Sequence, residues 1–593
     1  MIVFQTLSHQ IDFSNLPITF NEKNAYFSDH ISKSFSFPFT VKITEDLVEK
    51  LQMVIVNNVV KYESKIYGTL IKDHVFFDAY LAINNVVEDT VELTLFYGTE
   101  TLRVFDKNLN QLPFPVVFVT PTLRDFAKTQ LTKSWPDATH NFPKIYRPDI
   151  KDEPDYDKFN LFLNNYSNNG VTSNFIENST EVLEGEDVIF NRNVMAPMPY
   201  LLEILKTGFK SEGLDISGDF VKDEMARKLV LVPQNYFEQY AQTEFAQYSF
   251  SDFNTQQTID GNTINVYKRI HLPTQEGSYS ISFRLNFSNA LAKYFSLTIT
   301  QGEKTLYSAF SENKEVVLEK TVDINLEPAE VYEDIVVELK LNYQAASISN
   351  FNSFTYDFKQ GKVNQFPTLY NLADFMPDLT FREFTNRIKT WFNLKFDYTN
   401  TTVNINYLDK ELERLTFDNH SHLQDVAPKR TLNKNNLFKL SYNSEDMVMV
   451  DKDGQTFTDS DFTDSETQKI EIKGMPLRVK ENYGYITGVY PEKDTDIMLV
   501  IYDGLQNNFN HTVDAVSDKS LLIESIYNNY YKQWLRFRAN SETVNDSFFM
   551  PVSEVLNLKK GSFKYNKHHI IKKVERLRVN EQWWRVKVES ETL

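Results

Sequence analysis

Tyr279-Ser280-Ile281-Ser282-Phe283-Arg284-Leu285-Asn286-Phe287 alternates large apolar and polar side chains without a break. Successive side chains of an extended chain point to opposite faces, so this period of two predicts a strand with one buried face and one wetted face. Val337, Leu339, Leu341 and Tyr343 repeat the pattern, with further apolar runs at 297–300 and 316–326 between them. Together they predict an antiparallel β-sandwich over 246–365, inserted between segments of a different character.

On the N-terminal side, Phe35, Phe37, Phe39, Val41 and Ile43 alternate with Ser36, Pro38, Thr40 and Lys42, and Pro38 places that strand at an edge or a bulge. More strand candidates at 64–71, 75–83 and 91–97 make 1–135 a β-rich domain. It closes with Thr120-Pro121 as helix cap and first helical residue, then Leu123, Phe126, Ala127 and Leu131 at helical spacing. Residues 136–198 scatter Pro136, Pro143, Pro148 and Pro154 among acidic residues, with little periodic apolar content; they read as an arm over a surface or a neighbour, or as disorder. In 199–245, Leu201, Leu202, Leu205 and Phe209 mark one face of a helix that stops near Gly213.

Beyond the sandwich, 366–480 holds Thr380-Phe381-Arg382-Glu383, whose Thr and Glu are spaced for a capping box. Phe381, Phe384, Ile388 and Trp391 then form a helical stripe that requires a sheet beneath it, and 399–402 joins two strands as a hairpin. A helix, a break and an extended segment occur near 200 and again near 380, either as an internal duplication or as two independent units. The last segment, 481–593, is α+β: Ile523, Tyr527, Tyr530 and Trp534 share a helix face before short strands that include Val574 and residues 583–588. The fold class expected is α+β, β-rich and multidomain.

Composition narrows function by exclusion. The 593 residues carry 62 Lys+Arg and 81 Asp+Glu, and 62 − 81 gives −19, the wrong sign for a general binder of nucleic acid or anionic membrane. With 47 Phe, 31 Tyr and 41% hydrophobic residues the chain is globular, and only 17 Gly disfavour glycine-rich nucleotide cradles. The absence of Cys removes disulfides, thiolate nucleophiles and Cys-bearing metal sites without fixing the compartment. The first residues lack a basic segment followed by an apolar one, and no run approaches the roughly 18 apolar residues of a membrane span, so a soluble product without Sec export is expected.

Motifs for chemistry fail in turn: no phosphate loop, no nucleophile elbow, no His-Glu-x-x-His. A non-enzymatic chain with no catalytic residue, cofactor or metal is expected. His420 and His422 fit an exposed polar strand better than a metal pair, and His568-His569 point to opposite faces. The acidic cluster Asp451, Asp453, Asp459, Asp461, Asp464 and Glu466 lacks the calcium-loop register and reads as a solvated loop. From 551 onward ten Lys or Arg face five Glu, a local +5 that leaves −24 elsewhere. Such polarity suits docking on an acidic surface, a second copy included, or an ordinary solvated strand pair. Trp583-Trp584 put one ring on each face of a strand, one for the core and one for an interface or a stacked sugar. The candidate interface residues are therefore Lys572, Lys573, Arg576, Arg578 and Trp584, and Tyr294 joins Trp584 as an exposed-aromatic candidate for a carbohydrate.

Four blocks in order resemble one family. Lys23-Asn24-Ala25-Tyr26-Phe27-Ser28-Asp29 followed by Ser34-Phe35-Ser36-Phe37-Pro38-Phe39-Thr40 looks like the opening of tail-hub, or baseplate-hub-like, proteins of tailed phages and prophages of Bacteroidota-type bacteria. It departs at Ala25, where Pro is usual, and at His30. The helix and turn of 200–231, with Gly218-Asp219-Phe220, are similar to a second block; Met376-Pro377-Asp378-Leu379-Thr380 through Ile405 resembles a third; Ile526-Tyr527-Asn528-Asn529-Tyr530-Tyr531-Lys532-Gln533-Trp534 resembles a fourth. The resemblance implies hub- or tube-like α/β modules in a structural virion protein at the tail tip, made in the host bacterial cytoplasm. It also implies a homo-oligomeric, threefold ring that joins the tail tube and distal tail proteins to the central spike and lets DNA pass. It supplies no catalytic residues.

Overall fold

The computed structural model describes residues 1–28, 34–51, 54–56, 59–61, 63–72, 75–98, 101–119, 123–146, 166–168, 173–175, 179–183, 186–190, 196–233, 246–248, 254–260, 263–272, 277–286, 292–314, 317–326, 334–344, 354–357, 369–399, 401–423, 425–432, 437–442, 446–456, 467–482, 485–489, 497–506 and 509–592. They form a β-rich α+β protein with several antiparallel sheets and three hydrophobic cores.

The largest sheet has fourteen strands and is built from both ends of the chain. The hairpins through Lys65–Lys72, Val75–Val87 and Thr90–Tyr97 follow from alternation: Leu81, Leu93 and Leu95 face inward while Tyr80 and Phe96 face outward. Ser34–Ser36 and Thr19–Lys23 continue the sheet, and Thr19–Lys23 then pairs with Lys567–Arg578 in an antiparallel ladder from Thr19 opposite Leu577 to Lys23 opposite Lys573. Trp583–Thr592, Glu542–Pro551 and Lys429–Leu432 complete the path. One core runs beneath it, from Ile2, Phe4 and Phe20 to Val574, Trp584 and Val586. The expected separation of 1–135 from 481–593 therefore differs from the structure: the ends of the chain share a sheet and a core because the outer strand of each supplies the pairing the other lacks.

The described residues of 199–245 and 366–480, together with the helical part of 481–593, likewise share a core. Helix Leu201–Lys210 leads through Gly213, at φ 79°, to strand Asp215–Ser217, which pairs in parallel with Thr402–Tyr407, the second strand of the hairpin begun by Leu394–Tyr398. Helix Phe381–Phe392 packs over this sheet with Phe381, Phe384, Ile388 and Trp391 fully buried. Its capping box is formed: the Glu383 amide donates to Thr380 Oγ1 at 3.2 Å and the Thr380 amide to Glu383 Oε2 at 2.9 Å, and Asn393 ends the helix in the left-handed region at φ 48°. The helix-and-strand segments near 200 and 380 thus interlock in one small sheet.

The last helix is not uniform. Between Ile523–Ile526 and Lys532–Asn540 lies a π-turn, Tyr527–Tyr531, which brings Tyr527, Tyr530 and Tyr531 into the core and stacks Tyr530 on Tyr407 at 4.9 Å. The turn frees the amides of Gln533 and Trp534, and both donate to the Asp409 carboxylate, at 2.9 and 3.0 Å. Burial nonetheless pushes the Asp409 carboxyl up to about 7.

The sandwich consists of a four-stranded and a five-stranded antiparallel sheet around Ile281, Phe283, Leu285, Phe295, Leu297, Val337, Leu339 and Leu341. Phe287, Thr120-Pro121 and residues 147–165 of the expected arm lie outside the described residues. Within 136–198, His140–Asn141 pairs with Met198–Pro199, Tyr166–Asn168 with Ser173–Phe175, and Ser179–Leu183 with Glu186–Phe190.

The contact between the two interlocked helices yields a packing test. A Cβ on Gly208 would sit 2.3 Å from the Phe381 ring, which is buried against Phe105 and Phe209. Gly208→Ala is expected to lower stability by about 1–3 kcal/mol despite its gain in helix propensity, whereas adding Phe381→Leu recovers part of the loss. Urea titration of the three chains measures it, and a more stable single variant contradicts the packing.

Candidate interaction surface on the large sheet

Directly opposed residues in neighbouring strands share a face, so register alone draws one row across the outside of the large sheet. It runs Tyr67, Tyr80, Phe96, Phe35, Asn21, Glu575, Lys587, Ser547, and its accessible part is interrupted at Asn21, which is buried. The first four are aromatic and half-buried. Tyr67 and Tyr80 stand 5.6 Å apart, Tyr80 and Phe96 stack at 4.8 Å, Phe96 and Phe35 lie at 6.2 Å, and Phe37, itself exposed, adds an edge contact to Phe35 at 5.8 Å. Arg103 lies over Tyr67 at 4.8 Å and Lys65 over Tyr80 at 5.3 Å, while Asp106 accepts from Lys65 Nζ at 3.1 Å and from the Tyr67 hydroxyl at 3.3 Å.

Past Asn21 the row becomes charged. Lys573 pairs with Glu575 at 2.6 Å and Lys572 with Glu589 at 2.8 Å, while Arg585, Lys587 and Trp583 stand exposed. A hollow of about 400 Å³ opens here between Val426, Lys429, Asn545, Lys573, Lys587 and Glu589. The face is thus aromatic at one end and ion-paired at the other, a composition suited to a protein partner.

The structure separates the sequence-derived interface set. Lys572 and Lys573 reach this region, each already matched by a carboxylate. Arg578 lies over the Trp584 ring at 4.9 Å. Two assignments are corrected. Trp584 is only 1% exposed and packs edge-on against Phe20, because it shares parity with Val586 and Val588, which face the core; Trp583, at 40%, is the outward ring. Arg576 is buried as well, with Nη2 2.9 Å from Glu22 Oε2. The +5 of the basic end is largely spent in the same way: Lys559 meets Asp397, Lys560 meets Asp418, Lys564 meets Asp546 and Lys567 meets Glu542.

The four histidines singled out in the sequence have structural partners. His420 is buried, not exposed as expected, with Nδ1 2.9 Å from Ser562 Oγ, and His422 is exposed beside Glu554 at 3.0 Å. His569 is buried against Ser590 and the Lys564 carbonyl, while exposed His568 lies against Phe417 at 4.3 Å. Asp451 accepts from the Asp453 and Gly454 amides in a turn, and Asp459, Asp461, Asp464 and Glu466 lie outside the described residues. No helix among the described residues is long and apolar enough to cross a membrane.

A buried charge network behind the face escaped the sequence reading. Glu22 contacts Lys72 and Arg576 and accepts from the Tyr97 hydroxyl at 2.9 Å; Lys72 also lies 5.0 Å from the Phe20 ring. No local motif marks it, since its four members come from four strands. Burial would raise the Glu22 carboxyl, but the two cations hold it down to about 2. The folded value lies below the ordinary 4.5, so the stabilisation is complete above that pH and is lost as pH falls toward 2. Lys72→Met leaves Arg576 as the sole cation, and the acid limb of a plot of urea midpoint against pH is expected to move to higher pH. An unmoved limb contradicts the assignment.

No protein-family model matches the chain, and no curated protein matches it. Among solved structures, similarity is found to infectious bursal disease virus. The Gx strain structure aligns over 20% of this chain and 31% of that chain, with 13% identity and a TM-score of 0.11. The Gt strain structure aligns over 22% and 32%, with 12% identity and a TM-score of 0.11. The VP2 subviral particle of the same virus aligns over 59% and 72%, with 11% identity and a TM-score of 0.12. This chain spans about a third of the length of the first two, and at these TM-scores no common fold is superposed.

Proposed function

We propose that this chain is a non-enzymatic structural protein of a virion. Its proposed place is the tip of a phage tail, as a baseplate or tail hub subunit that closes into a homo-oligomeric ring, a homotrimer, between the tail tube and the central spike. The observation that carries the reading is the aromatic row Tyr67, Tyr80, Phe96 and Phe35 on the outside of a sheet whose inner face is already filled. A ring subunit needs a rigid, partly apolar face for its neighbour, and broad rings on a sheet provide area at low entropic cost. The ordered sequence blocks that resemble tail-hub proteins support the same role. DNA is a passenger in this reading, and the net charge of −19 suits a channel that avoids phosphate contacts.

A second reading, a receptor- or carbohydrate-binding tail protein, rests on the sandwich, where Tyr294 and Phe310 form an exposed edge-to-face pair at 5.2 Å.

Mass photometry and negative-stain imaging of the purified chain distinguish the two. The hub reading expects ring-shaped oligomers for the wild type and monomers that still melt cooperatively for Phe96→Ser, together with the chain in mass spectra of intact tails. A wild type that stays monomeric at high concentration and is missing from tails overturns it. Glycan binding by the full chain that is lost in Phe310→Ala favours the second reading.

A further inference from the structure

Strands Glu542–Pro551, Trp583–Thr592, Lys567–Arg578 and Gly561–Lys564 are consecutive neighbours in the large sheet. In a flat sheet the first and last would be three inter-strand steps of about 4.8 Å apart, roughly 14 Å. Asp546 on the first and Lys564 on the last nevertheless touch, with Nζ 2.5 Å from Oδ2, so the sheet curls and the two side chains meet inside the curl. Both are almost fully buried, their side chains 6% and 5% exposed. Val544, Leu556, Ile571 and Val588 line the same cavity together with the polar side chains of His420, Ser562, Tyr565, His569 and Ser590, and the Phe548 ring centre is 3.8 Å from Nζ.

Two other buried ammonium–carboxylate groups in the protein have a different stoichiometry. Glu22 has two cations, Lys72 and Arg576; Lys395 has two carboxylates, Asp397 and Glu411, at 2.9 Å each. A surplus of opposite charge keeps the shared ion charged. Lys564 and Asp546 meet one to one, without the second opposite charge that each of the other two groups has. Burial draws the Lys564 amine below its ordinary value even against the hydrogen bond and charge of Asp546.

The geometry points to an intramolecular amide between Lys564 Nζ and Asp546 Cγ that cross-links the two ends of the curl. The ion pair holds every proton the condensation needs. One proton passes from Nζ to Oδ2, leaving a neutral amine and a carboxylic acid. The nitrogen lone pair attacks Cγ, forming the C–N bond, while negative charge grows on Oδ1, where the Tyr565 hydroxyl donates at 3.1 Å. A second proton leaves nitrogen for the Oδ2 hydroxyl, the C–Oδ2 bond breaks, and one water departs. No oxidation state changes and no co-reactant is consumed. The cavity beside the pair, about 20 Å³ and lined also by His420, Ser562 and His569, is large enough for the released water, which needs about 10–15 Å³.

Intact-mass measurement of the denatured full chain tests this directly. The expected wild-type mass is one water below that of the sequence, with a branched tryptic peptide joining the segments around Asp546 and Lys564. Lys564→Arg and Asp546→Ala are each expected at full sequence mass. A folded wild type at full sequence mass overturns the proposal, and so does a water loss that persists in either variant, since it then arises elsewhere.

Discussion

The register between Thr19–Lys23 and Lys567–Arg578 is the constraint on which the rest of the large sheet depends, and the buried Glu22 network pins it. In the observed pairing Phe20 opposes Arg576 and Glu22 opposes Val574, so Glu22 and Arg576 share the inner face and meet Lys72 there. A slip of one residue would turn Glu22 outward and leave two cations in the core without their carboxylate. Removing one partner of a buried pair typically costs about 3–5 kcal/mol, enough to reject neighbouring registers. The same register aligns Asn21 with Glu575 and so joins the aromatic and charged halves of the outer row.

What the sequence makes legible is what local physics decides. Alternation at 279–285 and 337–341 marks the sandwich strands because a pleated strand repeats every two residues, and the spacing of Thr380 and Glu383 marks the helix start because both ends of the capping box lie within one turn. What is not legible is the choice among distant partners. The pairing of the first strands with the last, and of 215–217 with 402–407, joins segments that each look complete in isolation. Trp583-Trp584 belongs with the local signals: Trp584 shares parity with Val586 and Val588, and Trp583 with Arg585 and Lys587, so alternation assigns Trp584 to the core, where it packs on Phe20. The π-turn at 527–531 has no such local signal. The apolar spacing of Ile523, Tyr527, Tyr530 and Trp534 fits a regular helix, and the wider turn accompanies the distant acceptance of two amides by Asp409.

Charge shows the same division. The local +5 after residue 551 reads as a docking patch until the acidic partners brought by other segments are counted in place: Asp397, Asp418, Glu542, Asp546 and Glu22 neutralise it largely from within the chain. An excess of one sign in sequence is therefore as much a record of long-range pairing as of surface potential. The net charge of −19 remains, and with much of the basic end matched, it lies largely in the rest of the chain.

The position of the aromatic row also bears on how the large sheet meets a neighbour. A sheet recruits another chain either by extending an open edge or by covering a face. Its path ends in strands of three and four residues, Gln10–Asp12 and Lys429–Leu432, which offer few backbone groups for extension. Its outer face, in contrast, presents four consecutive rings at spacings of 4.8 to 6.2 Å. The sandwich has the opposite character, with an eleven-residue edge strand, Lys304–Lys314, guarded by the exposed charges of Lys304 and Glu312. Short edge strands and a ring-lined face favour covering the face over extending the edge of the large sheet, while the charges on Lys304–Lys314 disfavour strand addition at that edge of the sandwich.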